Sequence, residues 1–203
     1  MEILLVVFFS YLSGSIPFGL ILTSSLGGKD VRKIGSGNIG ATNVLRSGNK
    51  YLAALTLLLD ILKGYGPVVV TQNYFPEYIQ LSALLAFLGH IFPFWIKFKG
   101  GKGVATYLGI LLALSISLGF LFMFTWVVVF LIFRYSSLSS MFSSLTVLVV
   151  TFFRENAVKA INSDLIFSSD IKIILFIFFI LILFTHRQNI SNLRNSTEQK
   201  IKL

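Results

Sequence analysis

The chain has 203 residues, 55% of them hydrophobic and 12% charged, with a mean hydropathy of +0.84 and a formal net charge of +9. A soluble domain carries about 25% charged residues, so apolar runs recurring at this low charge density read as several membrane spans rather than one buried core. The absence of cysteine excludes disulfides, thiol catalysis and cysteine-based metal sites, and basic residues scattered over short loops fit anionic headgroups rather than nucleic acid.

A helix needs about 20 apolar residues to cross roughly 30 Å of hydrocarbon. The first run, residues 1–25, opens Met1-Glu2 with no basic n-region, and the chain stays apolar afterwards. It is therefore read as a retained span at 3–24 and not as a signal peptide. Within it, Ser13-Gly14-Ser15-Ile16-Pro17-Phe18-Gly19 combines small residues with a proline. The small residues permit close helix packing, and Pro17 is expected to kink the helix and free backbone groups near a cavity.

The loop at 24–50 carries Gly35-Ser36-Gly37-Asn38-Ile39-Gly40-Ala41-Thr42-Asn43-Val44-Leu45-Arg46. This satisfies G-x-G-x-x-G, but a dinucleotide fingerprint needs a preceding strand and a βαβ unit. Here Lys29-Asp30-Val31-Arg32-Lys33 precedes it and membrane spans flank it, so that reading is rejected. The glycines still let backbone N–H groups approach an anion, and a following helix N-terminus favours negative charge. Ser36, Asn38, Thr42 and Asn43 add hydrogen-bonding groups, and Arg46 offers a fork for phosphate. So many polar side chains among the glycines argue against an ordinary turn.

Spans are predicted next at 51–71 and 81–96. The first contains Asp60 and Lys63 at i and i+3, where charges are costly and are either paired or functional. The second leads through Gly89-His90-Ile91-Phe92-Pro93 into Lys97-Phe98-Lys99-Gly100-Gly101-Lys102-Gly103-Val104-Ala105-Thr106. This is not a Walker A loop, because Gly103 follows Lys102 and position 96 holds no glycine. Lys97, Lys99 and Lys102 among Gly100, Gly101 and Gly103 nevertheless make a compact anion site. The plainer alternative is a basic turn on the positive-inside face.

As one helix, 104–134 would be about 46 Å long, well beyond the hydrocarbon thickness. A break at Ser115-Ile116-Ser117-Leu118-Gly119 gives two spans, 104–118 and 119–134. With 141–153 and 171–185 the total is seven. Arg134 with Ser136, Ser137, Ser139 and Ser140 forms a weaker polar cluster, and 154–170 is expected to be an external loop. The last span ends in Thr185-His186-Arg187-Gln188-Asn189-Ile190, where His186 and Asn189 would share a helical face. A polar span end resting on headgroups is the plainer alternative there.

Charge orients the chain. If the 24–50 loop is cytoplasmic, Arg154, Lys159 and Lys172 face the other side and Lys63 lies within a span, leaving 13 of the 17 basic residues on the cytoplasmic face. The positive-inside rule then puts the N-terminus outside and the C-terminus inside. The sequons at Asn189 and Asn195 are incidental at that location. The expected architecture is all-α: a polytopic integral membrane protein with one membrane-embedded domain over 1–203.

At these motifs the chain resembles the bacterial acyl-phosphate-dependent glycerol-3-phosphate acyltransferases. The matching stretches are Gly14-Ser-Ile-Pro-Phe-Gly19, the whole of 35–46, Leu59-Asp-Ile-Leu-Lys-Gly64, Gly89-His-Ile-Phe-Pro93 with 98–106, Arg134-Tyr-Ser-Ser-Leu138 and His186-Arg-Gln-Asn-Ile190. They occur in the family's order and span most of the chain. The tail departs, with Asn192 and Ser196 where the family carries a basic residue and a glycine.

The resemblance implies a bacterial inner-membrane enzyme with a cytoplasmic active site. It would move an acyl group from acyl phosphate to the first hydroxyl of glycerol 3-phosphate, giving lysophosphatidic acid and phosphate, the first step of phospholipid synthesis. Partners would be these two substrates, membrane lipid and the upstream enzyme that makes acyl phosphate. No cofactor or metal is expected, because acyl phosphate is already an activated mixed anhydride. Ser36, Arg46 and Lys102 are assigned to phosphate. Gly37, Asn38, Thr42, Asn43, Lys99 and the backbone of Gly100, Gly101 and Gly103 would complete the polar site, with Ser137 beside it. His186 and Asn189 would orient glycerol phosphate or the attacked carbonyl. The hydroxyl proton would go to His186, to His90 or, as favoured here, to the substrate's own phosphate. The rivals are a small-anion transporter and a non-catalytic lipid-binding protein. Polar clusters on one face, without an inverted repeat, argue against transport.

Overall fold

A computed structural model of the chain describes residues 1–26, 30–161 and 170–201. Lys29, Asp164, Lys202 and the 162–169 part of the expected external loop lie outside the described residues. Every regular element among the described residues is helical. They form two compact units, Met1–Ile116 and Ser117–Leu203.

In the first unit the order is α1 (Glu2–Ser15), α2 (Phe18–Ser25), α3 (Ala41–Arg46), α4 (Lys50–Tyr74), α5 (Ile79–Ile91) and α6 (Val104–Leu114). Short 3₁₀ turns lie at Val31–Lys33, Pro76–Tyr78 and Phe94–Ile96. α4 is the axis, packed on α6, α5, α3, α2 and α1, while α1 lies along α5. Outward faces are apolar, with Phe8, Leu12, Leu58 and Leu62 exposed, as hydrocarbon solvent requires. Inward faces carry small and polar residues. Ser10 and Ser82 share a buried 2.8 Å hydrogen bond between α1 and α5. Gly64 of α4 lies directly against the Thr106 carbonyl of α6, so a side chain there would part the two helices.

The expected kink in the first span is present. Pro17 interrupts the helical ladder, and α1 and α2 meet at 42°. The break within 104–134 is also present. It falls at Ser115 alone, so α6 ends at Leu114, short of the expected boundary at 118.

The second unit contains α7 (Ile116–Phe133), α8 (Ser136–Ile161), α9 (Asp170–Thr185) and α10 (Arg187–Arg194). α8 packs on α9. The hydroxyls of Ser139, Ser140 and Ser143 donate to carbonyls one turn back, at 2.9, 2.8 and 2.7 Å. A serine-rich helix thereby satisfies its own polar groups. α8 runs well beyond the expected span of 141–153 and through 161, so the first half of the expected external loop is helical. α9 and α10 meet at 58°.

Among the described residues, four helices are long and apolar enough to cross a membrane, or six spans if each bent pair counts as one. α6 is apolar but only 11 residues long. Its Thr106, Tyr107, Leu108, Gly109, Ile110 and Leu111 are buried, so its short backbone is shielded by protein rather than exposed to lipid.

Candidate active site

The 35–46 loop is organised by one buried side chain. The Asn43 amide nitrogen serves the carbonyls of Val31, Ile34 and Asn38 at 2.9, 2.9 and 2.8 Å, and its oxygen accepts the Ser36 amide at 2.9 Å. The sequence counts Asn43 among the outward hydrogen-bonding groups; in the fold it holds the loop together. Asn38 Oδ1 accepts the Gly40 amide at 2.9 Å, closing a local turn. Gly35 has φ +53 and backs onto Asn43, a conformation and a space that no side chain suits. Ser36 and Gly37 are exposed on the loop crest. Thr42 and Arg46 lie partly buried on α3, which starts just after Gly40.

At the head of the loop, Asp30 accepts from Arg32 through both carboxylate oxygens, with contacts from 2.8 to 3.2 Å. The Arg32 side chain, then its backbone amide, holds the Asp30 carboxyl down to about 2.

The lysine-rich turn follows α5. Gly100 and Gly101 amides donate back to the carbonyls of Ile91 and His90 at 3.0 and 3.1 Å. Lys97 and Phe98 both take left-handed backbone conformations, φ 56 and 59, and point outward into solvent or headgroups. A side chain on Gly101 would run into the His90 ring. Lys99 is exposed, and Lys102 is partly buried just before α6. His90 is itself buried, and its Nδ1 shares a 3.0 Å hydrogen bond with the Thr106 hydroxyl.

These two segments adjoin. Ile96, in the turn before the lysines, packs on the apolar cluster of Val31, Ile39 and Val44 that underlies the 35–46 loop. The first unit thus brings together Ser36, Gly37, Asn38, Thr42, Asn43 and Arg46 with the turn bearing Lys99, Gly100, Gly101, Lys102 and Gly103. The arrangement offers cations and polar side chains to anionic groups, whereas the amides of Ser36, Gly37, Gly40, Gly100 and Gly101, expected from the sequence to meet an anion, are engaged within the loops.

The second unit holds Ser137, His186 and Asn189. His186 sits at the bend between α9 and α10, buried, with Nδ1 donating to the Ile182 carbonyl at 2.8 Å. A carbonyl can only accept, so the proton of this bond sits on Nδ1. Asn189 lies in the first turn of α10, while His186 caps that helix from the bend and is not itself helical. The Asn189 amide donates to Glu198 Oε1 at 2.7 Å, and the Ser137 hydroxyl donates to the same oxygen at 2.8 Å. Asn192 donates to Oε2 at 3.3 Å. The Ile201 amide reaches the Arg134 carbonyl at 3.0 Å, so the tail is folded back onto the start of α8. Glu198 is the residue the sequence reading passes over. The available signal was a lone acid within a basic tail.

Residues 4–196 match the family described as glycerol-3-phosphate acyltransferase. A glycerol-3-phosphate acyltransferase of Pelagibacter ubique is 51% identical, with 100% of each chain covered. One from Mesorhizobium japonicum is 47% identical over 98% of this chain and 96% of its own. The crystal structure of PlsY (YgiH), an integral membrane glycerol 3-phosphate acyltransferase, in its glycerol 3-phosphate form superposes with a TM-score of 0.90 at 34% identity, covering 100% of this chain and 96% of that one. Its lysophosphatidic acid form gives 0.88 at 33% identity, with the same coverage. The apolar helices, the motif order and these likenesses agree: the chain is a multi-pass membrane protein that belongs to the glycerol-3-phosphate acyltransferase family.

Proposed function

We propose that the protein transfers an acyl group from acyl phosphate to the first hydroxyl of glycerol 3-phosphate, releasing lysophosphatidic acid and inorganic phosphate. The hydroxyl oxygen attacks the acyl carbonyl carbon. The bond from that carbon to the phosphate oxygen breaks, and its electron pair leaves with phosphate. The hydroxyl proton passes to a phosphate oxygen of the substrate, whose second pKa is about 6 by analogy with phosphoserine. Orientation and electrostatic stabilisation then carry the rate.

The observation that carries this reading is the packing of Ile96 against Val31, Ile39 and Val44. It supports two glycine-rich cationic segments acting together on two phosphorylated substrates. Ser36, Arg46 and Lys102 bind phosphate. Asn38, Thr42, Lys99 and the Gly103 amide complete the polar surface, while the amides of Gly37, Gly100 and Gly101 are spent on the carbonyls of Ile34, Ile91 and His90 and shape the two loops. Asn43 and His90 serve it by holding those loops, and His186, Asn189 and Ser137 orient the reacting groups. The whole chain acts as one acyltransferase domain with seven spans in the bacterial inner membrane. Its N-terminus is outside and its C-terminus and active site are cytoplasmic, as the basic loops favour. Acyl phosphate comes from an upstream enzyme, and the acyl chain enters from the bilayer.

The test is phosphate release by purified protein given acyl phosphate and glycerol 3-phosphate. Release with both substrates, and none when either is omitted, is expected. Anion flux across vesicles without phosphate release would replace this reading with transport.

A further inference from the structure

Four polar side chains inside the first unit lie outside the proposed chemistry or touch it only indirectly. Asp60 and Lys63, one turn apart on α4, form a 2.7 Å ion pair with each side chain 3% exposed. Lys63 Nζ also donates to the Ile16 carbonyl at 2.7 Å, 47 residues away. His90 Nδ1 lies 4.0 Å from Asp60 Oδ1 and shares its hydrogen bond with Thr106 Oγ1 at 3.0 Å. Charges in such a place are costly, and a well-packed apolar pair would serve stability as well or better. Their retention calls for a use other than stability.

The ends of this network point to that use. Ile16 is the residue at the break between α1 and α2, and its carbonyl accepts the Phe18 amide as well as Lys63. From that break α2 leads toward the 35–46 loop. Its Leu20 and Leu22 pack on the cluster under the loop, and Gly19 lies against the Ile39 carbonyl. At the other end, His90 accepts the Gly101 amide through its carbonyl and covers Gly101 with its ring. Thr106 stands in the first turn of α6, directly after Gly103. One buried set of side chains thus holds the α1–α2 break, from which α2 runs to pack under the 35–46 loop, and the root of the 100–103 turn.

We propose that Asp60, Lys63, His90 and Thr106 are positioning residues that hold the 35–46 loop and the 100–103 turn in the mutual register that glycerol 3-phosphate binding requires. This rests on the reading of those two segments as phosphate sites. The network acts before substrate arrives. If the loops sample other registers, the apparent affinity falls by the fraction still competent, while saturating substrate gathers the population back. Loss of the network is therefore read in KM rather than in kcat.

The experiment compares the parent with Asp60→Leu/Lys63→Met, which removes both charges together, and with Thr106→Val, which removes only a hydroxyl. Each is purified, melted and assayed for phosphate release over a range of glycerol 3-phosphate at saturating acyl phosphate. The double variant is expected to keep its melting temperature, to raise KM about tenfold or more, and to hold kcat within about threefold. Thr106→Val is expected to raise KM by a smaller factor, still above about threefold. A folded double variant with parental KM, or a fall in kcat at unchanged KM, overturns the proposal. So does a double variant that fails to fold, because the network's task is then stability. An effect in the double variant but none in Thr106→Val overturns the single network. A parent that releases no phosphate from the two substrates refutes the proposed function itself, which is a separate outcome.

Discussion

Asn43 Oδ1 accepts the Ser36 backbone amide at 2.9 Å, while the other end of the same carboxamide serves three carbonyls of the loop. One side chain so fixes the crest that bears Ser36. Asn43→Asp keeps the acceptor but turns a carboxylate oxygen toward the carbonyls of Val31, Ile34 and Asn38. Each lost hydrogen bond costs about 1 kcal/mol, and the buried repulsion adds to it. The expected outcome is a lower melting temperature and a kcat/KM reduced by about a hundredfold. Asn38→Ala, which gives up one bond, loses about 1 kcal/mol. Parental melting and turnover in Asn43→Asp would remove Asn43 from this role.

Gly101→Ala tests the fit between the lysine turn and His90. The added methyl meets the buried His90 ring, so the turn must move away from α5 and carry Lys99 and Lys102 with it. Circular dichroism should be unchanged, because the position lies outside the helices. KM for glycerol 3-phosphate should rise about tenfold or more, since a small misplacement of a binding group is costly. An unchanged KM would mean that the turn tolerates the shift.

Glu198 collects hydrogen bonds from Ser137, Asn189 and Asn192. Glu198→Ala strands three donors and releases the tail, at a cost of about 2 kcal/mol for charge-assisted bonds. Glu198→Gln keeps one carbonyl oxygen and should retain more activity than the alanine variant. Melting temperature and phosphate release measured on both would check the order. Equal behaviour of the two variants would argue against the carboxylate as the organising group.

The Asp30 carboxyl titrates at about 2 in the fold, against an ordinary value of 3.8, because it accepts from Arg32. A depressed carboxyl lends its contact fully above the ordinary value and loses it as pH falls through the lowered one. The Asp30–Arg32 contact should therefore hold through neutral pH and disappear between about 4 and about 2. Carboxyl-carbon NMR would follow the titration directly. Arg32→Gln should return the midpoint toward 3.8. A midpoint near 3.8 in the parent would show that the two side chains do not meet in solution.

The two glycine-rich segments that adjoin in the fold were legible as candidates before folding, because glycine, lysine and polar residues in short runs state their own chemistry. Motif order carried the family. The roles within the loop were less legible. Asn38, Thr42 and Asn43 look equivalent in sequence, yet only Asn43 is buried at the loop's centre. Glu198 was hidden because nothing local relates a tail acid to Ser137, 61 residues earlier.

The sequence by itself determined the all-helical membrane class and the break at Pro17, since hydropathy, helix length and a missing N–H are local properties. The break near Ser115 was anticipated on the same grounds, though not its position. Only the tertiary structure decided that α8 runs on through residue 161 and that α6 can be short because it is buried on α4. It alone decided that Lys63 reaches Ile16 and that Ile96 joins the lysine turn to the 35–46 loop. Those contacts join residues far apart in the chain, and only packing brings them within bonding distance.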